Sequence, residues 1–207
     1  VITKKPDNEG QGEDAMGLKT DELLDKLIAM QGPLGLARMA HEHESVMTTA
    51  AVAGLVVRPT TTSLLTVHNG ENYGGKSLVI DRLFCFQLVS AGALSFYTMW
   101  YCLHLRPINV AEGPNEITSK WGTGDGRGPS MGPVRAEVDA TVIDDGWFPC
   151  GGSGPVEATG VLPGGGTEWE CRGRLVVPPD HAISLHVSAS SVNEDFTVGA
   201  SWWRTQL

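Results

Sequence analysis

His41-Glu42-His43-Glu44 is the densest cluster of metal-ligand side chains in the chain. On a helix, His41 and Glu44 share a face and His43 lies elsewhere; on a strand, His41 and His43 share one. Neither arrangement brings a third ligand. The spacing also differs from H-E-x-x-H, whose second His follows a full helical turn after the first. The segment reads as a solvated polar stretch rather than a metal site. Asp125, Asp144 and Asp145 carry oxygens suited to calcium, but the spaced ligands of a calcium loop are absent, and turn-forming Asp near Gly is the plainer reading.

Nucleophilic chemistry needs Ser or Cys beside a His and a carboxylate. Ser153 lies in Gly151-Gly-Ser-Gly154, which is not the G-x-S-x-G elbow. That stretch and Gly164-Gly-Gly166 precede no helix and lack the Lys-Ser/Thr of a phosphate loop, so both read as turns. His68, His104, His181 and His186 are scattered over predicted strands and turns, and a triad would require a coincidence of folding. The expectation is a protein with no catalytic, metal or cofactor site, and not an enzyme. A small β-sandwich hydrolase is a competing reading, and it demands that His and Asp converge in a pocket.

Cys85, Cys102, Cys150 and Cys171 lack the C-x-x-C spacing of a zinc site. Cys85 and Cys102 fall at nearly opposing positions on consecutive predicted strands, and Cys150 and Cys171 lie in or beside Gly-rich loops. Four cysteines allow three full pairings, and free buried thiols are the plain alternative. In Trp202-Trp203 adjacent strand residues face opposite ways. If Phe196, Val198, Ala200 and Trp202 are core, Trp203 projects outward, as an interface residue or sugar platform, or is covered by the N-terminal segment.

Fifteen basic residues against 24 acidic ones give a net charge of −9. Such a surface repels phosphate, which argues against nucleic acid. No apolar run approaches the roughly 18 residues of a membrane helix. No basic stretch, apolar core and cleavage site opens the chain, although a leader already removed before Val1 stays open.

The positioning elements are mostly strands. Ile183, Leu185, Val187 and Ala189 alternate with Ser184, His186, Ser188 and Ser190, the pattern of a strand with one buried face. Comparable runs cover residues 63–68, 76–90, 95–105, 134–142, 156–161, 167–177 and 196–205. The 76–90 and 95–105 runs read as a hairpin turning near Gly92, and 144–155 as a loop. About eight strands predict an all-β, antiparallel jelly-roll sandwich, with an immunoglobulin-like sandwich as the alternative.

Residues 1–57 read as an N-terminal arm and 58–207 as the β domain. Residues 1–19 are polar and Gly-rich. Thr20 is a helix N-cap followed by Asp21 and Glu22, and Leu23, Leu24, Leu27 and Ile28 form a helical stripe over about residues 20–31, ended by Gly32-Pro33. Residues 46–57 read as extended chain.

Three stretches resemble virion proteins of tailed bacteriophages, of the jelly-roll decoration or head-fibre kind: Gly74 to Phe84, Arg174 to His186, and Phe196 to Trp202. The resemblance covers roughly residues 60–207 and carries no active-site residue. It implies a structural protein of the virion, assembled in the host cytoplasm. Its partners would be the major capsid protein and copies of itself, as a homotrimer. The arm would anchor it, with Leu23, Leu24, Leu27, Ile28 and Trp203 at interfaces. The competing binding module would hold a surface glycan on Trp121, Trp147 and Trp169.

Overall fold

The computed structural model describes residues 43–52, 57–89, 95–105, 134–156, 165–190 and 194–206. The helix expected at 20–31, with Leu23, Leu24, Leu27 and Ile28, lies outside them. Nine strands are found among the described residues: β1 (His43–Val52), β2 (Leu65–Asn69), β3 (Ser77–Val89), β4 (Ser95–His104), β5 (Val134–Val138), β6 (Phe148–Val156), β7 (Gly166–Val177), β8 (Ala182–Ala189) and β9 (Glu194–Thr205).

They form two antiparallel sheets, ordered β1-β9-β3-β7 and β5-β2-β8-β4-β6. β1 pairs with β9, β2 with β8, β3 with β7 and β4 with β6. The first strand thus meets the last and pairing proceeds inward, as in one long hairpin whose arms are wound into two layers. β3–β9 and β4–β8 pairing closes each layer. This is the path of a jelly roll, with β5 added beside β2.

Between the layers the even-spaced positions interdigitate. Phe196, Val198, Ala200 and Trp202 of β9 are fully buried, as are Leu78, Ile80 and Leu83 of β3. They face Leu65, Met99, Ile183, Leu185 and Val187 from the second sheet. A buried carboxylate sits at each end of β9's core row. Glu44 accepts from Trp202 Nε1 at 3.2 Å, and Glu194 accepts from Gln87 Nε2 at 2.7 Å and Ser190 Oγ at 3.0 Å.

Several expectations change. β3 and β4 are consecutive but lie in different sheets, so they form no hairpin, and Cys85 and Cys102 do not meet as cross-strand neighbours. The sandwich reaches N-terminal to Arg58: all ten residues of β1 pair with β9, and the compact unit holding the sheets spans Glu42–Leu207. His43 and Glu44 are buried in β1 rather than solvated. The segment 144–155 is not all loop, because β6 takes in Gly151, Gly152 and Gly154. A Cβ at Gly152 would collide with the Tyr97 carbonyl oxygen and lie 3.2 Å from Thr98 Cα, so glycine is what lets β6 close on β4.

The strand expected over 134–142 ends at Val138, where Asp139 takes a positive φ of 53°. Its alternation then serves a different surface. Ala140 and Val142 turn onto the outer side of the second sheet and pack with Trp147, Cys102 and Trp100. Residues 61–64 run alongside them: Val142 N donates to Thr61 O at 2.8 Å and Ser63 N to Ala140 O at 3.1 Å. This double layer covers the polar face of β8, so all eight of its residues are buried.

Candidate functional site

Beneath that cover the sheet brings together side chains far apart in sequence. Cys102 and Ser184 are cross-strand partners on β4 and β8, and Ser184 is opposite Thr66 on β2. His104 Nε2 lies 2.7 Å from Ser184 Oγ, and its Nδ1 lies 3.4 Å from Asp145 Oδ2. The carboxylate only accepts, so Nδ1 carries the proton and Nε2 accepts from the Ser184 hydroxyl. Ser184 Oγ is 2.7 Å from Thr66 Oγ1, and Thr66 Oγ1 is 2.6 Å from Ser63 Oγ, which also reaches the Ala140 carbonyl at 3.2 Å.

Carboxylate on Nδ1 and serine on Nε2 is the wiring of a Ser-His-Asp triad. The coincidence that sequence spacing did not reveal is therefore present. Its setting decides what the relay does in this conformation. Ser184 is fully buried and His104 is 1% exposed, so no substrate reaches the hydroxyl. Each hydroxyl is also engaged by the next. The relay fastens the 139–147 cover to the sheet.

The cover is fastened at two further points. Arg58 donates to both Asp144 oxygens, at 2.9 and 2.7 Å, and Trp147 Nε1 donates to Thr60 O at 2.8 Å. The Arg58 hydrogen bonds hold the Asp144 carboxyl below its ordinary range. Burial pushes the His104 imidazole down, against the pull of Asp145. His186, under Trp147 with ring centroids 6.1 Å apart, is pushed down to about 4 by burial. Its Nδ1 has no hydrogen-bond partner among the described residues. His68 is likewise lowered, burial outweighing Asp180 at 3.5 Å.

The remaining candidates separate. His41, Glu42, Asp125, Gly164 and Trp121 lie outside the described residues, as does the Ser153 side chain. The His43 ring packs at a tilt against Trp203, with centroids 4.2 Å apart and planes at 39°, and Glu44 faces Arg204 at 3.7 Å inside the sheet. Trp203 sits on the outer side of β9, half-buried under that ring, while Trp202 is core. Among the described residues no group of three or more His, Cys, Asp or Glu side chains is arranged to hold a metal. No described helix is long and apolar enough to cross a membrane. All four cysteines are free, and burial raises Cys85, Cys150 and Cys171 to about 12 and Cys102 to about 11.

Of the three tryptophans considered as sugar platforms, Trp147 is 4% exposed and bonded inside the cover. Trp169 lines an open cleft along β7 with Glu168, Glu170, Arg172 and Arg174. The outer face of the first sheet carries a separate apolar group: Met47 is 58% exposed, Phe86 45% and Leu88 41%.

No protein-family model, curated protein or solved structure matches the chain. The class is therefore set by architecture: a jelly-roll β-sandwich with a strapped outer face.

Proposed function

We propose that the chain is a non-enzymatic structural protein of a tailed-bacteriophage particle. It decorates or stabilises the capsid, or forms a fibre base, through the part of the N-terminal arm that precedes β1 and as a homotrimer. The observation that carries this reading is an apolar outer face on a jelly-roll sheet. Met47 on β1 and Phe84, Phe86 and Leu88 on β3 lie on the same outer face of the β1-β9-β3-β7 layer, with β9 between the two strands. Exposed apolar side chains gathered on one sheet face mark a contact surface more than they serve a free monomer. Repetition around a particle would turn weak single contacts into firm attachment. The leucine stripe at 23–28 adds apolar area, each Leu or Ile buried contributing about 1.5–3 kcal/mol.

Two measurements test it. The intact chain is expected to sediment as a trimer, and Phe86→Asp, on the exposed face, is expected to shift it toward monomer with the fold retained by circular dichroism. Deleting residues 1–31 is expected to abolish incorporation into particles. A monomeric intact chain, or unchanged particle occupancy after the deletion, overturns the reading.

A further inference from the structure

Residues 58–63 and 140–147 are bonded to each other along their length. Arg58 donates twice to Asp144, Trp147 Nε1 donates to Thr60 O, Val142 N to Thr61 O and Ser63 N to Ala140 O, and Thr62 bridges Thr141. The links from this double layer to the sheet run through side chains. Asp145 and the Ile143 backbone meet His104 of β4, and Ser63 Oγ meets Thr66 Oγ1 of β2 at 2.6 Å. Ala140, Val142 and Trp147 pack on Cys102 and Trp100. Both arms join the sheet at one line: Asp139 N donates to Leu64 O at 3.3 Å, and Leu64 N to Leu185 O at 2.9 Å. Asp139 holds a φ of 53° there, and Gly146, with a φ of 107°, lies shortly before β6. A few residues at the ends of elements are where a hinge absorbs rotation.

His186 lies beneath this double layer. Its ring meets Trp147 edge-on, its register partner on β4 is Trp100, and it is buried with Nδ1 unbonded among the described residues. The titratable and charged groups around it are Asp139, Asp144 and Asp145 on the cover, Arg58 beside them, and Cys102 and His104 on β4. Further along the same sheet face come His68 on β2 and Arg135 and Glu137 on β5. Asp144 is taken by Arg58, Asp145 by His104, and His68 faces Asp180 at 3.5 Å, so no carboxylate is committed to His186. Burial lowers the proton affinity of His186, and it lowers that of His104 against the pull of Asp145. A proton on either ring is better placed in water than beneath the cover.

We propose that residues 58–63 and 140–147 form one flap that lifts off the second sheet in acid, turning about Leu64 and Asp139 and uncovering Trp100, Cys102 and His186. Closed, the flap keeps water from both imidazoles. Lifted, it lets them hold protons in water while its own internal bonds persist. Arg58 and Asp144 stay paired as the histidines titrate, because their hydrogen bonds hold the Asp144 carboxyl below its ordinary range. The flap therefore leaves as a preformed piece, a local opening that needs less free energy than unfolding the core. What it bares is apolar: Ala140, Val142 and Trp147 on its underside, and the Trp100 and Cys102 row on the sheet. Apolar side chains gathered in this way make a contact surface, here one that acid alone supplies. The device stands whether or not the virion reading holds.

Native-state hydrogen exchange of the intact chain at pH 7.5 and 5, corrected for the intrinsic rate at each pH, tests it. Closed, His186 takes its proton at about 4, and exposed to water at 6.5, so the open population is expected to rise about thirtyfold over that interval. Protection of the Ser63 and Val142 amides is expected to fall by that factor or more, from a level below that of the β3 and β9 amides. His186→Phe is expected to remove most of the fall. A second measurement needs no variant: Cys102 is expected to react with dithiodipyridine about thirtyfold faster at pH 5 than at pH 7.5, relative to glutathione, while Cys85 in the core stays unmodified. Equal flap protection at the two pH values, flap amides as protected as those of β3 and β9, an undiminished fall in His186→Phe, or Cys85 reacting alongside Cys102 overturns the proposal.

Discussion

Ser184 Oγ on β8 lies 2.7 Å from His104 Nε2 on β4, in the middle of a hydrogen-bonded chain that starts at Asp145 and ends at Ser63. Removing that hydroxyl leaves a buried imidazole nitrogen and Thr66 each short of a partner. Ser184→Ala is expected to cost about 1–3 kcal/mol, read as a lower urea midpoint with an unchanged slope. A fluorophosphonate probe is expected not to label native Ser184, because the residue is fully buried. Labelling of wild type but not of Ser184→Ala would make the relay catalytic instead of structural.

The buried histidines under and beside the cover make stability depend on pH. His186, His104 and His68 are all lowered from 6.5, chiefly by burial. Above 6.5 neither the folded nor the unfolded chain binds these protons, and the stability is fully present. Below it the unfolded chain takes up protons that the folded chain refuses, so stability falls. For His186 the loss runs from 6.5 down to about 4 and amounts to on the order of 3 kcal/mol. Urea midpoints at pH 7.5, 6 and 5 are expected to decrease in order, and His186→Phe is expected to flatten the decline. A wild-type midpoint equal at pH 7.5 and 5 contradicts this.

The legible parts were those where one residue's environment follows from its immediate neighbours. Strict alternation along 183–189 and 196–202 placed β8 and β9 and assigned Trp202 inward. The partners were not legible, because pairing in a jelly roll joins strands distant in sequence. The β3–β4 connection looks like a hairpin locally and becomes a crossover only because β7 and β9 compete for β3. The β6 glycines resembled a loop because their role is to admit a neighbouring backbone, a long-range requirement. Ala140 and Val142 kept their strand alternation but spent it on a second surface, after a turn at Asp139 that no hydrophobic pattern signals. The relay was invisible for the same reason: His104, Asp145 and Ser184 come from three separate elements. Trp169 reads in sequence as an aromatic near a loop, but its ring stacks on Tyr101 of the other sheet, a partner that composition does not mark.

Glu44 tests the place of β1 in the sandwich. It is 1% exposed, accepts from Trp202 Nε1 and faces Arg204, which also pairs with Glu71. Breaking one partner of a buried ionic group costs about 3–5 kcal/mol, so Glu44→Ala is expected to lower the urea midpoint by that measure. Removing residues 1–57 takes the whole strand, strips the β9 edge and uncovers Val46's neighbours. Loss of cooperative unfolding is expected, and a truncated chain melting like the intact one would show β1 to be dispensable.

The four thiols are expected to resist modification. A thiolate is the reactive form, and burial holds Cys85, Cys150 and Cys171 near 12 and Cys102 near 11. Ellman's reagent at pH 8 is expected to react slowly with the native chain and to titrate four thiols per chain in guanidinium. Rapid titration of even one native thiol would mean that its strand opens readily.

Two glycines on the outer face of the first sheet should differ in how well they tolerate a methyl group. At Gly199 an added Cβ meets the Phe84 ring and also Val46 O at 2.7 Å, and the carbonyl belongs to the β1–β9 ladder. A ring can swing away, but a ladder carbonyl moves only with its strand. Gly199→Ala is therefore expected to destabilise by about 1–3 kcal/mol. At Gly166 the three atoms nearest the added methyl all belong to the Phe86 ring, which is 45% exposed and has solvent to turn toward. Gly166→Ala is expected to cost less than half as much. Equal urea midpoints for the two variants would mean that β1 yields as easily as an exposed phenyl ring, and that the β1–β9 edge is softer than its unbroken ten-residue register implies.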